Sequence, residues 1–145
     1  MYNLKMRTYT IKCAEPPPGG AAITTVDAAG FALAALLINE DNDREHFAAL
    51  FCNTQHQVIA GRVIFSGGTA ETPVYVSAIC RAALLLGASR VFVAHNHPSG
   101  NLTPSPADFA VEKKLLEALK ILEIGLLDSF IVAPSGKFRR MGDAS

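Results

Sequence analysis

Apolar residues recur along the chain at two spacings, and the switches between them predict its elements. An alanine-rich run carrying Phe31, Leu33, Leu36 and Leu37 predicts a helix that opens at Ala28-Ala29, with Asp27 as its cap. The acidic, amide-rich run Asn39-Glu40-Asp41-Asn42-Asp43 reads as a solvated turn. Glu45 to Cys52, with Phe47, Leu50 and Phe51, reads as a strand, Asn53 to His56 as a turn, and Val58 to Phe65 as the return strand of a hairpin. Ser66-Gly67-Gly68-Thr69 breaks that strand. A second helix runs from near Pro73 to about Gly87, since proline suits a first turn and glycine an exit, and Ile79, Ala82, Ala83 and Leu86 form its buried stripe. Arg90 to Ala94 is a brief apolar strand, central in a sheet. His95 to Pro104 has neither period and is loop. Ser105-Pro106-Ala107-Asp108 opens a third helix with Leu115, Leu116, Leu119 and Leu122 on its apolar side. Leu126 to Ala133 is a strand, Pro134-Ser135-Gly136 a turn, and Lys137 to Arg140 a short edge strand before a frayed end.

The order helix, hairpin, helix, strand, loop, helix, strand fits an α/β (α+β) single domain with one mixed central sheet flanked by helices. The start of the chain reads differently. Met6 to Cys13 suits a short strand, and Pro16-Pro17-Pro18-Gly19-Gly20 stops any regular element. Residues 1–23 are therefore expected to form an arm or loop, and 24–145 the domain.

Composition narrows the function classes. The chain has 145 residues, half of them apolar, enough for one sizeable core. Thirteen basic residues offset thirteen acidic ones, so a broad basic surface for tight nucleic-acid binding is not expected. The three cysteines lie far apart without a CxxC, which argues against a disulfide scaffold or a four-thiolate metal site. Cys52 and Cys80 read as core residues. No stretch approaches the roughly 18 apolar residues of a membrane span, and the first residues are unlike a signal peptide. A soluble, cytoplasmic protein is expected. The Pro-rich arm and an edge strand leave room for a homodimer.

The strongest chemical signal is His95-Asn96-His97. Residues i and i+2 on extended backbone point to one side, so both imidazoles can face one point while Asn96 faces away. Neutral imidazole is a good zinc ligand. Asp108 lies eleven residues past His97, and the intervening Pro98 to Pro104 can fold back to bring its carboxylate to the histidines. Two histidines, one carboxylate and an open fourth position make a catalytic arrangement. Glu45 is the best-placed base, directly before His46-Phe47 and the buried run. Ser105 lies three residues before Asp108 and can donate to a developing oxyanion. Each has a plainer reading. Ser105 with Asp108 is also a capping box, strengthened by Pro106. Glu45 alone is an ordinary carboxylate at the start of a strand. His46 and His56 have ordinary strand and turn roles, with orientation of Glu45 or substrate contact as the alternative. Lys137, Arg139 and Arg140 read as a solvated basic end.

Together these residues resemble the RadC family, a bacterial branch of the JAMM/MPN zinc metalloprotease superfamily, whose architecture is cytidine deaminase-like. The likeness rests on His95-Asn96-His97-Pro98-Ser99-Gly100 and Pro104-Ser105-Pro106-Ala107-Asp108. Arg44-Glu45-His46-Phe47, Gly68-Thr69 and Leu127-Asp128 add to it, and it spans about residues 24 to 140. The resemblance implies one zinc ion per chain, held by His95, His97 and Asp108. It implies Glu45 as general base and acid and Ser105 as transition-state hydrogen-bond donor. It implies hydrolysis of a peptide or isopeptide bond in a peptide or protein substrate. The bacterial branch carries a DNA-repair label, and longer members have an N-terminal segment like a helix-hairpin-helix module, which the 23 residues before this domain are too few to form. Two departures stand out: Asp128-Ser129 where members usually have Asp-His, and Val74-Tyr75 where they usually have Pro-Arg. The rivals are a metal-dependent nuclease and a catalytically silent interaction module on the same fold. A nuclease usually needs carboxylate-rich magnesium binding or paired metals, whereas this chain offers one compact constellation.

Overall fold

A computed structural model describes residues 22–67 and 72–144. The elements are α1 (Val26–Leu37), β1 (Glu45–Cys52), β2 (Val58–Gly67), α2 (Thr72–Leu86), β3 (Arg90–Asn96), α3 (Pro106–Ile121), β4 (Gly125–Val132) and β5 (Phe138–Arg140), followed by a short 3-10 turn, Met141–Ala144. The five strands form one mixed sheet in the order β2-β1-β3-β4-β5. Only β3 and β4 run parallel, joined by α3, while every other neighbouring pair is antiparallel. The single-domain α+β architecture is thus the one expected, with β3 at its centre. The strand expected over Met6 to Cys13, most of the arm, and Gly68-Thr69 lie outside the described residues. Ala22 and Ile23 lie against the hairpin turn, Ala22 bridging to Gln57 and the Ile23 N–H donating to the His56 carbonyl.

Side-chain alternation divides the core between the two faces of the sheet. Phe47, Ala49, Phe51, Val91 and Val93 meet Ile79 and Ala83 of α2 and Leu115 and Leu119 of α3. Ala48, Leu50, Phe92, Ala94, Phe130 and Val132 face the other way, onto Ala29, Leu33 and Leu37 of α1. Every residue of β1 after Glu45 is buried, because the strand is covered on both sides and paired on both edges.

Several local expectations are corrected. Thr25, not Asp27, caps α1, its hydroxyl accepting from the Ala28 N–H; Asp27 sits in the first turn, where its charge suits the helix N-terminus. Phe31 is 68% exposed, its ring set edge-on against Phe138. Leu116 is 47% exposed, because α3 turns only Val111, Leu115 and Leu119 squarely onto the sheet. The end is not frayed at Met141, which is 2% exposed and begins the 3-10 turn.

Gly30 exists for close approach. A methyl group built there would overlap the Phe138 ring that crosses α1. Alanine ordinarily gains up to ~1 kcal/mol over glycine inside a helix. Here overpacking should reverse the sign, and Gly30→Ala is expected to lower stability by ~1–3 kcal/mol in urea denaturation. A more stable variant would mean that β5 yields without cost.

Candidate metal centre

The site is built where β3 ends. His95 is the partner of Phe47 in the β1–β3 register, and its ring stacks on that of Phe47 with centroids 5.2 Å apart. His97 lies one residue past the strand. Its N–H donates to the Val132 carbonyl, and its own carbonyl accepts from the Gly100 N–H, closing a turn at Gly100, whose φ is +81°. His95 and His97 therefore leave the sheet on one face, as the alternation requires.

Asp108 arrives from α3. Ser105 caps that helix by accepting from the Asp108 N–H at 3.1 Å, and the Ser105 N–H donates to Asp108 Oδ2 at 2.8 Å, so the capping box is complete. The box does not displace the ligand geometry; it aims the carboxylate. Asp108 Oδ1 lies 3.1 Å from His95 Nε2, Asp108 Oδ2 lies 3.0 Å from His97 Nε2, and the two Nε2 atoms are 3.1 Å apart. Asp108 and His95 are buried and His97 is partly so.

This convergence tests whether the donor set fits a metal ion. His97 Nδ1 lies 2.7 Å from the Asn101 carbonyl, which can only accept, so Nδ1 carries the proton and Nε2 of the neutral ring presents a lone pair. That lone pair faces a carboxylate oxygen and a second imidazole nitrogen. Such a cluster of acceptors needs a cation or a proton at its centre. Ligand atoms around a tetrahedral zinc ion lie roughly 3.3 Å apart, given bonds of ~2.0–2.1 Å. The observed edges are within a few tenths of an ångström of that. The three side chains can hold a metal ion.

Without metal, a proton answers the same need. The Asp108 hydrogen bond, partly opposed by burial, raises His97 above its ordinary 6.5; the Asn101 carbonyl and the charges of Asp108 and Glu45 add to the rise. Burial alone would raise Asp108, but its bonds to His95 and His97 together hold it far below its ordinary 3.8. The raised histidine contributes stability that is complete below pH 6.5 and is lost as pH climbs through its folded-state value. The depressed carboxylate contributes stability present above pH 3.8 and lost as pH falls toward its folded-state value. The melting temperature of the protein in chelator is therefore expected to fall as pH rises above neutrality, and saturating zinc to remove that fall, because ligands bind metal deprotonated. A flat profile in chelator would refute the shared proton.

The other expected site residues take distinct positions. Glu45 begins β1 on the same face as Phe47, just beyond the last β1–β3 pair, and its charge acts on His97. Its Oε2 is buried with no hydrogen-bond partner. Ser105 uses one acceptor position for its cap, which leaves its O–H free to donate. His46 turns to the opposite face, buried between the Ser66 hydroxyl at 2.6 Å and Asp41, and His56 sits in the hairpin turn at the far end of β1. Neither ring belongs to the histidine–aspartate cluster. Cys52 is buried, with its thiol pushed up to about 11 by that burial, and Cys80 is partly buried.

Some contributors carried no sequence signal. Asn101 fixes the His97 tautomer through its backbone, which no residue type announces. Glu112, one helical turn beyond Asp108, lines a cavity of about 20 Å³ beside His95 together with Tyr75 and Ser129. Burial, then the charge of Asp128, raises Glu112 above the ordinary carboxylate range. At the two departures, Tyr75 is buried against Phe47, and Ser129 is buried with its hydroxyl turned toward Glu112, although no hydrogen bond of regular geometry closes between them. Asp128 pairs with Arg140 at 2.7 Å.

Comparison with known proteins finds a matching family model and curated relatives. The family model described as RadC-like JAB domain matches residues 23–141. The UPF0758 protein of Cyanothece sp. is 44% identical over 98 residues, covering 68% of this chain and 40% of that protein. The UPF0758 protein of Xanthomonas euvesicatoria pv. vesicatoria is 46% identical over 88 residues, and that of Pseudomonas fluorescens 43% over 88, each match covering 61% of this chain and 39% of the relative. The chain thus spans about two fifths of the length of the curated relatives it matches. Among the described residues, no helix is long and apolar enough to cross a membrane.

Proposed function

The chain belongs to the RadC-like JAB domain family, and from that membership we propose that it is a zinc-dependent hydrolase cleaving an amide bond in a peptide or protein, as a metallopeptidase or isopeptidase. The observation that carries this reading is the meeting of His95, His97 and Asp108 at 3.0–3.1 Å, with a buried, unpartnered carboxylate oxygen on Glu45, whose charge acts on His97.

His95, His97 and Asp108 would hold the ion, which when bound supplies Lewis acidity and a water acidified to near neutrality. Glu45 takes a proton at Oε2 as the water oxygen attacks the carbonyl carbon. It later returns that proton to the departing nitrogen. The Ser105 hydroxyl donates to the oxygen on which negative charge develops, held in place by the helix it caps. Asn101 keeps His97 in the tautomer that presents Nε2 to the ion.

The test is a metal-loaded preparation assayed against a quenched-fluorescence peptide library that includes lysine-linked isopeptides. One zinc per chain, identified by anomalous scattering at the zinc edge, and cleavage that stops with chelator and returns with zinc are expected. A fully loaded protein that cuts no amide, or that cuts DNA instead, would overturn the proposal.

A further inference from the structure

Asn96 sits between the two histidines and faces away from them, yet it is 4% exposed and both ends of its amide are engaged. Its Oδ1 accepts from the His46 N–H at 2.6 Å, and its Nδ2 donates to the Arg44 carbonyl at 3.2 Å. Those two backbone groups flank Glu45. The regular ladder between β1 and β3 stops at Phe47–His95, while β3 stays paired to β4 through Asn96–Val132. The regular ladder therefore ends before Glu45 and His97, the next side chains in its register on that face. Beyond the end of the ladder the Asn96 side chain bonds both backbone groups that flank Glu45, and Pro98, which has no N–H, could not have served the Arg44 carbonyl.

From this we infer that Asn96 is a positioning residue for Glu45: its amide sets the distance between the carboxylate and the histidine cluster. The inference rests on the proposed role of Glu45. Its geometry is specific to an amide, since one group must both accept and donate to the same chain segment. The opposite side of that segment is fixed separately, where the His46 ring bonds Ser66 of β2 and Asp41 of the preceding loop. Glu45 is thus held from β3 on one side and from β2 on the other. Only the hold from β3 runs through a residue that lies between the two histidines. A movement of His95 and His97 with β3 carries Glu45 along, so base and ion stay in register.

The experiment uses cobalt as a paramagnetic substitute in the full chain. The relaxation that it imposes on the Glu45 carboxylate carbon reads the distance from ion to carboxylate. In Asn96→Ala that relaxation should fall several-fold, and the His46 amide should exchange with solvent roughly tenfold faster or more, while cobalt affinity stays within about twofold of wild type because no ligand is lost. On any peptide that the wild type cleaves, kcat should fall by about tenfold to a hundredfold with KM little changed. Asn96→Asp keeps the acceptor and loses the donor, and should shift relaxation in the same direction by less; if Asn96→Ala does not fold, this variant decides. Unchanged relaxation and unchanged His46 exchange in the folded variant overturn the inference. A wild type that binds cobalt but cleaves nothing sinks the hydrolase proposal alone, since relaxation and exchange need no substrate.

Discussion

Glu45→Gln should bind zinc with the stoichiometry of the wild type and lose turnover. The amide has nearly the shape of the carboxylate, so the packing of β1 against β2 and β3 is retained, and Glu45 makes no hydrogen bond through Oε2 for the change to break. The three acceptors that meet at 3.0–3.1 Å are untouched. What is lost is a group able to take a proton and give it back. General acid-base catalysis contributes ~10²–10⁴-fold, and a residue that moves the proton twice belongs at the upper end. Steady-state rates on a cleaved peptide, with zinc quantified in the same sample, provide the measurement. A variant within tenfold of wild type would remove Glu45 from the mechanism. Glu112, which lies beside His95 with its proton held more tightly than usual, would then be the next carboxylate to replace.

How far the sequence reveals this site depends on the range of each interaction. The capping box at Ser105 and Asp108 spans three residues and was legible, as was the hairpin, whose turn is closed by Asn53 side-chain bonds to the Gln55 and Gln57 N–H groups. His95 and His97 share a face through the two-residue period of a strand, a purely local rule. Glu45 was legible as a candidate only, because its place near the histidines depends on β1 lying beside β3, a pairing of segments about fifty residues apart. Asn96 shows the limit most clearly. The alternation rule correctly turned it away from the histidines, and nothing in that rule says that a side chain can reach along the sheet to a neighbouring backbone. Phe31 and Leu116 were misplaced for a related reason. Helical spacing proposes an apolar face, but how wide a face is buried depends on how the helix lies on the sheet, so Leu115 is covered and Leu116 is not.

Asp108 joins the two kinds of information, since it is both a local cap and a long-range ligand, and two substitutions separate them. Asp108→Ala removes the acceptor for the Ser105 N–H as well as the carboxylate facing His95 and His97. It should cost ~0.5–2 kcal/mol of stability through the helix start and weaken zinc binding by more than about a hundredfold, beyond the loss expected when only a ligand's supporting partner is removed. Asp108→Asn keeps an oxygen to accept from Ser105, so most of that stability should return, less a few tenths of a kcal/mol for the lost charge at the helix N-terminus. Zinc binding should not return with it, because the anionic ligand is gone. The same amide also withdraws the carboxylate that is the largest cause of the raised His97. In chelator, the melting temperature of Asp108→Asn should therefore lose the decline above neutral pH expected of the wild type. Chelator-competition titrations and melting curves across pH check both halves. If Asp108→Asn held zinc as tightly as wild type while keeping its cap, the carboxylate would be a helix cap alone, and the ion would have to find its charge elsewhere.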